Sequence, residues 1–194
     1  MKYQILRLIA LFTFALSTQA TAGDFHYQID AMSKILSAPN KQLGALQMSW
    51  LYDEQTTTML LQDADLSPKK RQHSLNTIGQ RTIKDLKRLN YFTDIKINGK
   101  PVKLAPPENL MVELIDGKYF RLFFILPFSE TVDAKNGTLS FSLLDPNGIA
   151  LPLFDSQERI SVDATLQNSC HVNLVNFEEY KHGTAAQRVD VSCK

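Results

Sequence analysis

The chain has 194 residues, 44% of them hydrophobic and 21% charged, with 21 Lys and Arg against 20 Asp and Glu, a formal net charge of +1. Near-neutrality without a clustered basic surface excludes a nucleic-acid partner and a purely charge-driven grip on anionic lipid. The one basic run, Lys69-Lys70-Arg71, reads as the solvated start of a helix.

Residues 1–22 read as a cleavable export signal. Lys2 and Arg7 form a short basic start, Leu8 to Leu16 is an apolar run too short to span a bilayer, and Ala20-Thr21-Ala22 supplies the small residues of a cleavage site. Removing it leaves a single predicted domain, residues 23–194, with 19 basic and 20 acidic side chains. No later stretch is long and apolar enough for a membrane helix, and no cysteine follows the apolar run at a lipoprotein position. The expected product is a periplasmic domain that is not membrane-embedded.

Along that domain, Phe25, Tyr27, Ile29 and Ala31 alternate with His26, Gln28 and Asp30, the period of a half-buried strand. After Pro39-Asn40, a second strand places Leu46, Met48, Trp50 and Tyr52 on one face. Residues 54 to 61 predict a short helix with Asp53 as its cap and an apolar end at Met59, Leu60 and Leu61. A longer helix is predicted to start at Ser67-Pro68, with a core stripe of Leu75, Ile78, Thr82, Leu86 and Leu89 and with His73 on the solvated side. From Thr93 the signals are β. Ile95 and Ile97 pair across Asn98-Gly99 with Val102 and Leu104, and Leu110 to Leu114 pairs across Asp116-Gly117 with Phe120 to Leu126. A strand from Thr138 to Leu144 ends in the turn string Asp145-Pro146-Asn147-Gly148, and Ile160, Val162 and Ala164 suggest another strand. The expected fold is β-rich α+β, an antiparallel β-sandwich with a helical insertion near residues 54–90.

The two cysteines, Cys170 and Cys193, favour a disulfide in an oxidising compartment. If residues 170–175 and 188–193 run antiparallel with the cysteines opposite each other, Val172 faces Val191 and Leu174 faces Val189 on one side of the sheet. The competing arrangement is a two-thiolate metal site, for which His171 and His182 are the only local additional ligands.

No nucleophile elbow, phosphate-binding glycine loop, CxxC or HExxH is present, and the histidines (His26, His73, His171, His182) are scattered, so no enzyme is predicted. The start of the mature chain is the one grouping with metal chemistry. Asp24 and His26, with Gln28 and Asp30 further along the strand, project from one side near a free α-amine, and oxygen and imidazole donors of this kind suit a divalent metal. The same residues equally suit an exposed strand face that pairs with its neighbours. Asp63-x-Asp65 lacks the glycine and further oxygens of a calcium loop.

The blocks Phe25-His26-Tyr27-Gln28-Ile29-Asp30, Ser49-Trp50-Leu51-Tyr52-Asp53-Glu54, Leu60-Leu61-x-Asp63, Leu89-Asn90-Tyr91-Phe92-Thr93, Ile97-Asn98-Gly99-Lys100 and Leu144-Asp145-Pro146 occur in order over most of the mature chain. Together they resemble a bacterial periplasmic family known as domain of unknown function 1007. That family is similar to the periplasmic component of a zinc-uptake pair and is often encoded beside a NicO-type nickel/cobalt permease. The resemblance implies an accessory role in transition-metal transport, with zinc or nickel as the metal and the inner-membrane permease as the partner. Many members open on His-Pro-His where this chain has Asp24-Phe25-His26, so His26 carries over and Asp24 takes the place of the other imidazole. The family's aromatic block after Asp-Pro is replaced here by Asn147 to Leu151. The alternative expectation is an envelope interaction module that binds no metal.

Overall fold

The computed structural model describes residues 27–133, 137–177 and 185–194. The predicted export signal, Asp24, His26 and His182 lie outside the described residues. Thirteen regular elements follow in the order β1 (Tyr27–Ala38), β2 (Gln42–Tyr52), α1 (Glu54–Leu61), α2 (Arg71–Leu86), β3 (Thr93–Ile97), β4 (Lys100–Pro101), β5 (Glu108–Ile115), β6 (Tyr119–Asp133), β7 (Thr138–Leu143), β8 (Ala150–Leu153), β9 (Ile160–Val162), β10 (Cys170–Asn176) and β11 (Gln187–Cys193). They form two sheets. The first has the order β5-β6-β2-β1-β8, with β9 also on β1, and the second has the order β10-β11-β7-β3-β4.

The inner face of the first sheet follows directly from alternation. Ile29, Ala31 and Ile35 of β1 face Tyr52, Trp50 and Leu46 of β2, and Trp50, Met48 and Leu46 face Leu122, Phe124 and Leu126 of β6. A one-residue slip would turn every one of these side chains outward, so burial itself holds the register. Trp50 is fully buried, stacked on Phe92 at 5.9 Å and edge-on to Phe124 at 4.9 Å. Inward residues of the second sheet, among them Ile95, Phe141, Val189 and Val191, belong to the same core cluster.

Three local expectations need correction. β1 runs on to Ala38, because Ser33 takes an inward position and its hydroxyl hid the apolar period there. Ser67-Pro68 opens a single turn, with Arg71 N–H on the Ser67 carbonyl at 2.8 Å. The regular helix begins only at Arg71, after Lys70 with φ −115°. In α1 the buried positions are Thr56 and Thr57, whereas Met59 is 56% exposed. The sandwich is also not antiparallel throughout, since β8 and β9 both pair with β1 in parallel. β8 had no sequence signal, being four residues with a proline and a partner more than a hundred positions away.

The disulfide hairpin is as expected. Cys170 is bonded to Cys193, Val172 lies opposite Val191 and Leu174 opposite Val189. The bridge clips the edge strand β10 onto β11, which is in turn paired with β7. Among the described residues no helix is long and apolar enough to cross a membrane.

Helix α2 sits on the β5–β6 end of the first sheet through Leu75, Ile78 and Leu86. Closest approach is at Gly79, where an added Cβ would lie 2.3 Å from a Val112 methyl and 3.5 Å from Leu122. Val112 is β-branched and stiff, so it yields poorly. Gly79→Ala is therefore expected to cost about 1 kcal/mol net, overpacking outweighing the helix preference of alanine, read as a lower urea midpoint. Reduction of the Cys170–Cys193 bond is expected to remove about 3 kcal/mol, the loop-closure value for its span. Denaturant midpoints with and without dithiothreitol measure this, and coincident midpoints would mean that packing alone holds the hairpin.

Candidate functional site

The start of β1 is where the separate sequence blocks meet. Tyr27 donates its backbone N–H to the Ile149 carbonyl at 3.1 Å, beside β8, and Gln28 donates its own to Asp53 Oδ2 at 3.3 Å. The other oxygen of Asp53 accepts from Thr56 N–H at 2.6 Å, so one carboxylate both caps α1 and ties down the first strand. Asp145 is buried and accepts three backbone N–H groups, those of Asn147, Ile149 and Ala150, at 2.9 to 3.0 Å. It thereby shapes the turn that delivers β8 to Tyr27. The Leu144 N–H bonds the Phe92 carbonyl at 2.6 Å and brings in the Tyr91-Phe92-Thr93 block.

That last block is strained. Asn90, Tyr91 and Phe92 have φ of 49°, 53° and 51°, a left-handed run that side chains of this size rarely adopt. It is held by Asn90 Nδ2 on the Thr93 carbonyl at 2.5 Å, by the Thr93 hydroxyl on the Tyr91 carbonyl at 2.8 Å, and by burial of Phe92 against Trp50.

Two tyrosines occupy the corner. Tyr27 stacks on Tyr52 with ring centres 6.1 Å apart, and Tyr52 meets Phe120 edge-on at 5.8 Å. Burial, then the Asp145 and Asp53 carboxylates, push the Tyr27 hydroxyl up to about 12. Burial, with Tyr27 next to it, raises Tyr52 as well.

Of the residues singled out in the sequence, Asp53 and Asp145 reach this corner. Gln28 is exposed, and Asp30 pairs with Arg159 at 3.5 Å. Glu54 faces Lys118 at 3.4 Å. His73 and His171 are exposed on α2 and β10, far apart in the chain order of the sheets and helices. Asp24 and His26 lie outside the described residues, immediately before Tyr27. Among the described residues no group of three or more His, Cys, Asp or Glu is placed to hold a metal ion. The two carboxylates of the corner are occupied by backbone N–H groups, and of the two Asp53 is the one bonded to β1 itself, at Gln28.

A feature with no sequence signal adjoins the corner. Two cavities of about 480 and 310 Å³ lie between α1 and α2 and share Met59, Leu60 and Arg81. The larger is walled by Tyr27, Tyr52, Leu86, Leu89 and Phe92, the smaller by Ala64, His73 and Ile78 with Asp63 at its rim. Thr56 lines the larger one; it is buried, and its hydroxyl has no hydrogen-bond partner. The outer face of the second sheet differs in character, a polar concavity where Lys96, Ser140, Asp190 and Asn173 stand in register and Arg188 grips Asp190 at 2.9 Å.

Residues 8–191 match the family model described as "Protein of unknown function (DUF1007)". No curated protein matches the chain.

Folding raises both corner tyrosines above the ordinary value of 10.0. Their neutral forms are thus favoured in the fold, and the stability this brings is complete below pH 10 and lost as pH climbs toward about 12 for Tyr27. Thermal midpoints are expected to fall between pH 9 and 12, and the decline should be shallower in Tyr27→Phe, which has no hydroxyl to ionise.

Proposed function

Because the chain belongs to the DUF1007 family, and because its blocks converge on the start of β1, we propose that it is a non-catalytic periplasmic accessory protein in transition-metal transport. It binds zinc or nickel through His26 and Asp24 and presents the ion to an inner-membrane permease of the NicO type. The single observation that carries this reading is the Asp53 carboxylate, fixed 3.3 Å from the backbone N–H of Gln28, which is two residues along the chain from His26. Asp53 keeps unused lone pairs after accepting two N–H groups. An imidazole, two carboxylates and water form a donor set that a borderline divalent ion accepts.

A second reading, an interaction module that binds no metal, draws on a different observation, the open trough between α1 and α2. It requires no ligand at residue 26.

Calorimetric titration of residues 23–194 with Zn²⁺ and Ni²⁺ separates the two. Metal binding is expected, with His26→Ala and Asp53→Asn each weakening it at least ten-fold. Asparagine is as good an N-cap as aspartate, so the second variant keeps the helix start while it removes the charge and the oxygen that accepts from Gln28. Equal affinity in the parent and both variants would reject the site, and no binding at all would leave the interaction module as the standing reading.

A further inference from the structure

We propose that the trough between α1 and α2 docks an amphipathic helix of another protein, seated by apolar side chains on either side of Arg81 and anchored by an acidic side chain on that guanidinium. The inference deepens the interaction reading and is independent of metal at His26.

Three features point to such an occupant. The two cavities adjoin, with Met59, Leu60 and Arg81 in both linings, and together they run along α2 from His73 to Leu86. At 1.5 Å per residue this is about 20 Å, the length of a helix of some four turns and more than a small ligand fills. The larger cavity is walled mainly by aromatic and aliphatic side chains, the smaller by Ala64 and Ile78 among polar residues, and Met59, 56% exposed, stands where they adjoin. A flexible thioether beside aromatic rings is the composition of surfaces that accept helices.

The third feature is charge. Arg81 is exposed, lines both cavities and has no carboxylate partner among the described residues. Nearby Asp85 is held by Arg88 at 3.0 Å, which leaves Asp63, without an ion-pair partner among the described residues, as the acid at the His73 end. The occupant therefore carries an acid at its middle and a base toward Asp63, a polarity that fixes its direction.

The test places a photoreactive benzoylphenylalanine at Met59 in the full-length chain, in its native envelope. Irradiation is expected to give an adduct with an apolar segment of another protein that bears Asp or Glu. The yield should drop at least ten-fold with Arg81→Glu, whose side chain is exposed and unpaired, so that folding is unaffected and the Zn²⁺ titration stays at parent values. A synthetic peptide of the captured segment should then shift the emission of Trp50, the only tryptophan, which stacks on Phe92 in the trough wall. Its Glu-to-Gln or Asp-to-Asn version should bind at least ten-fold more weakly. An adduct with lipid, an adduct with a second copy of this chain, a yield indifferent to Arg81→Glu, or no adduct would each overturn the proposal. None of these results would touch the metal reading.

Discussion

Burial of one indole holds this molecule together. Trp50 lies in the middle of β2, yet its ring rests on Phe92, which leads into the second sheet, and on Phe124 of β6 in the first. Stacked and edge-on aromatic contacts of this kind add to the area they bury, and here the contact with Phe92 ties β2 to the segment that leads into the second sheet. The indole N–H has no partner, and leaving it so costs free energy. The position tolerates that cost because the ring fills the junction between layers. The left-handed run at Asn90, Tyr91 and Phe92 follows from the same demand, since the chain must leave α2, turn sharply and still deliver Phe92 under the indole.

The corner at Tyr27 depends on that arrangement. β2 ends at Tyr52, and the next residue, Asp53, divides its carboxylate between the first turn of α1 and the backbone of β1. Asp145 does the corresponding work for the turn into β8. Each holds negative charge near the Tyr27 hydroxyl, and each accepts N–H groups that would otherwise be unpaired. That explains why blocks far apart in sequence meet here and yet form no cluster of three donors among the described residues. They build the frame around the start of β1.

Much of this was legible in the order of residues, and the exceptions have physical causes. Strict alternation placed Leu46, Met48, Trp50 and Tyr52 on one face, and the valines between Cys170 and Cys193 set a hairpin register that the structure reproduces pair for pair. Asp53 as a cap was readable because a helix start has few ways to satisfy its N–H groups. β8 was not, because a short parallel strand containing Pro152 owes its existence to β1 and has little propensity of its own. Thr56 and Thr57 as the buried side of α1 were missed for a related reason. The apolar residues gather at the end of this helix, at Met59, Leu60 and Leu61, and give no sign that the Thr57 hydroxyl is wanted inside, accepting from the Phe120 N–H at 2.9 Å. The trough could not be read at all, since it is made by the approach of two helices and not by either one.

The corner and the trough share Tyr27. Its ring is part of the trough wall and stacks on Tyr52, while its backbone is fixed between β8 and the strand that Asp53 restrains. The Tyr27 N–H meets the Ile149 carbonyl whatever side chain the position carries, so the backbone of the corner does not depend on the ring. The trough wall does: a smaller side chain would take away the stacking partner of Tyr52 and widen the cavity beside it, so the identity of residue 27 is set by the packing of this wall and not by the strand pairing.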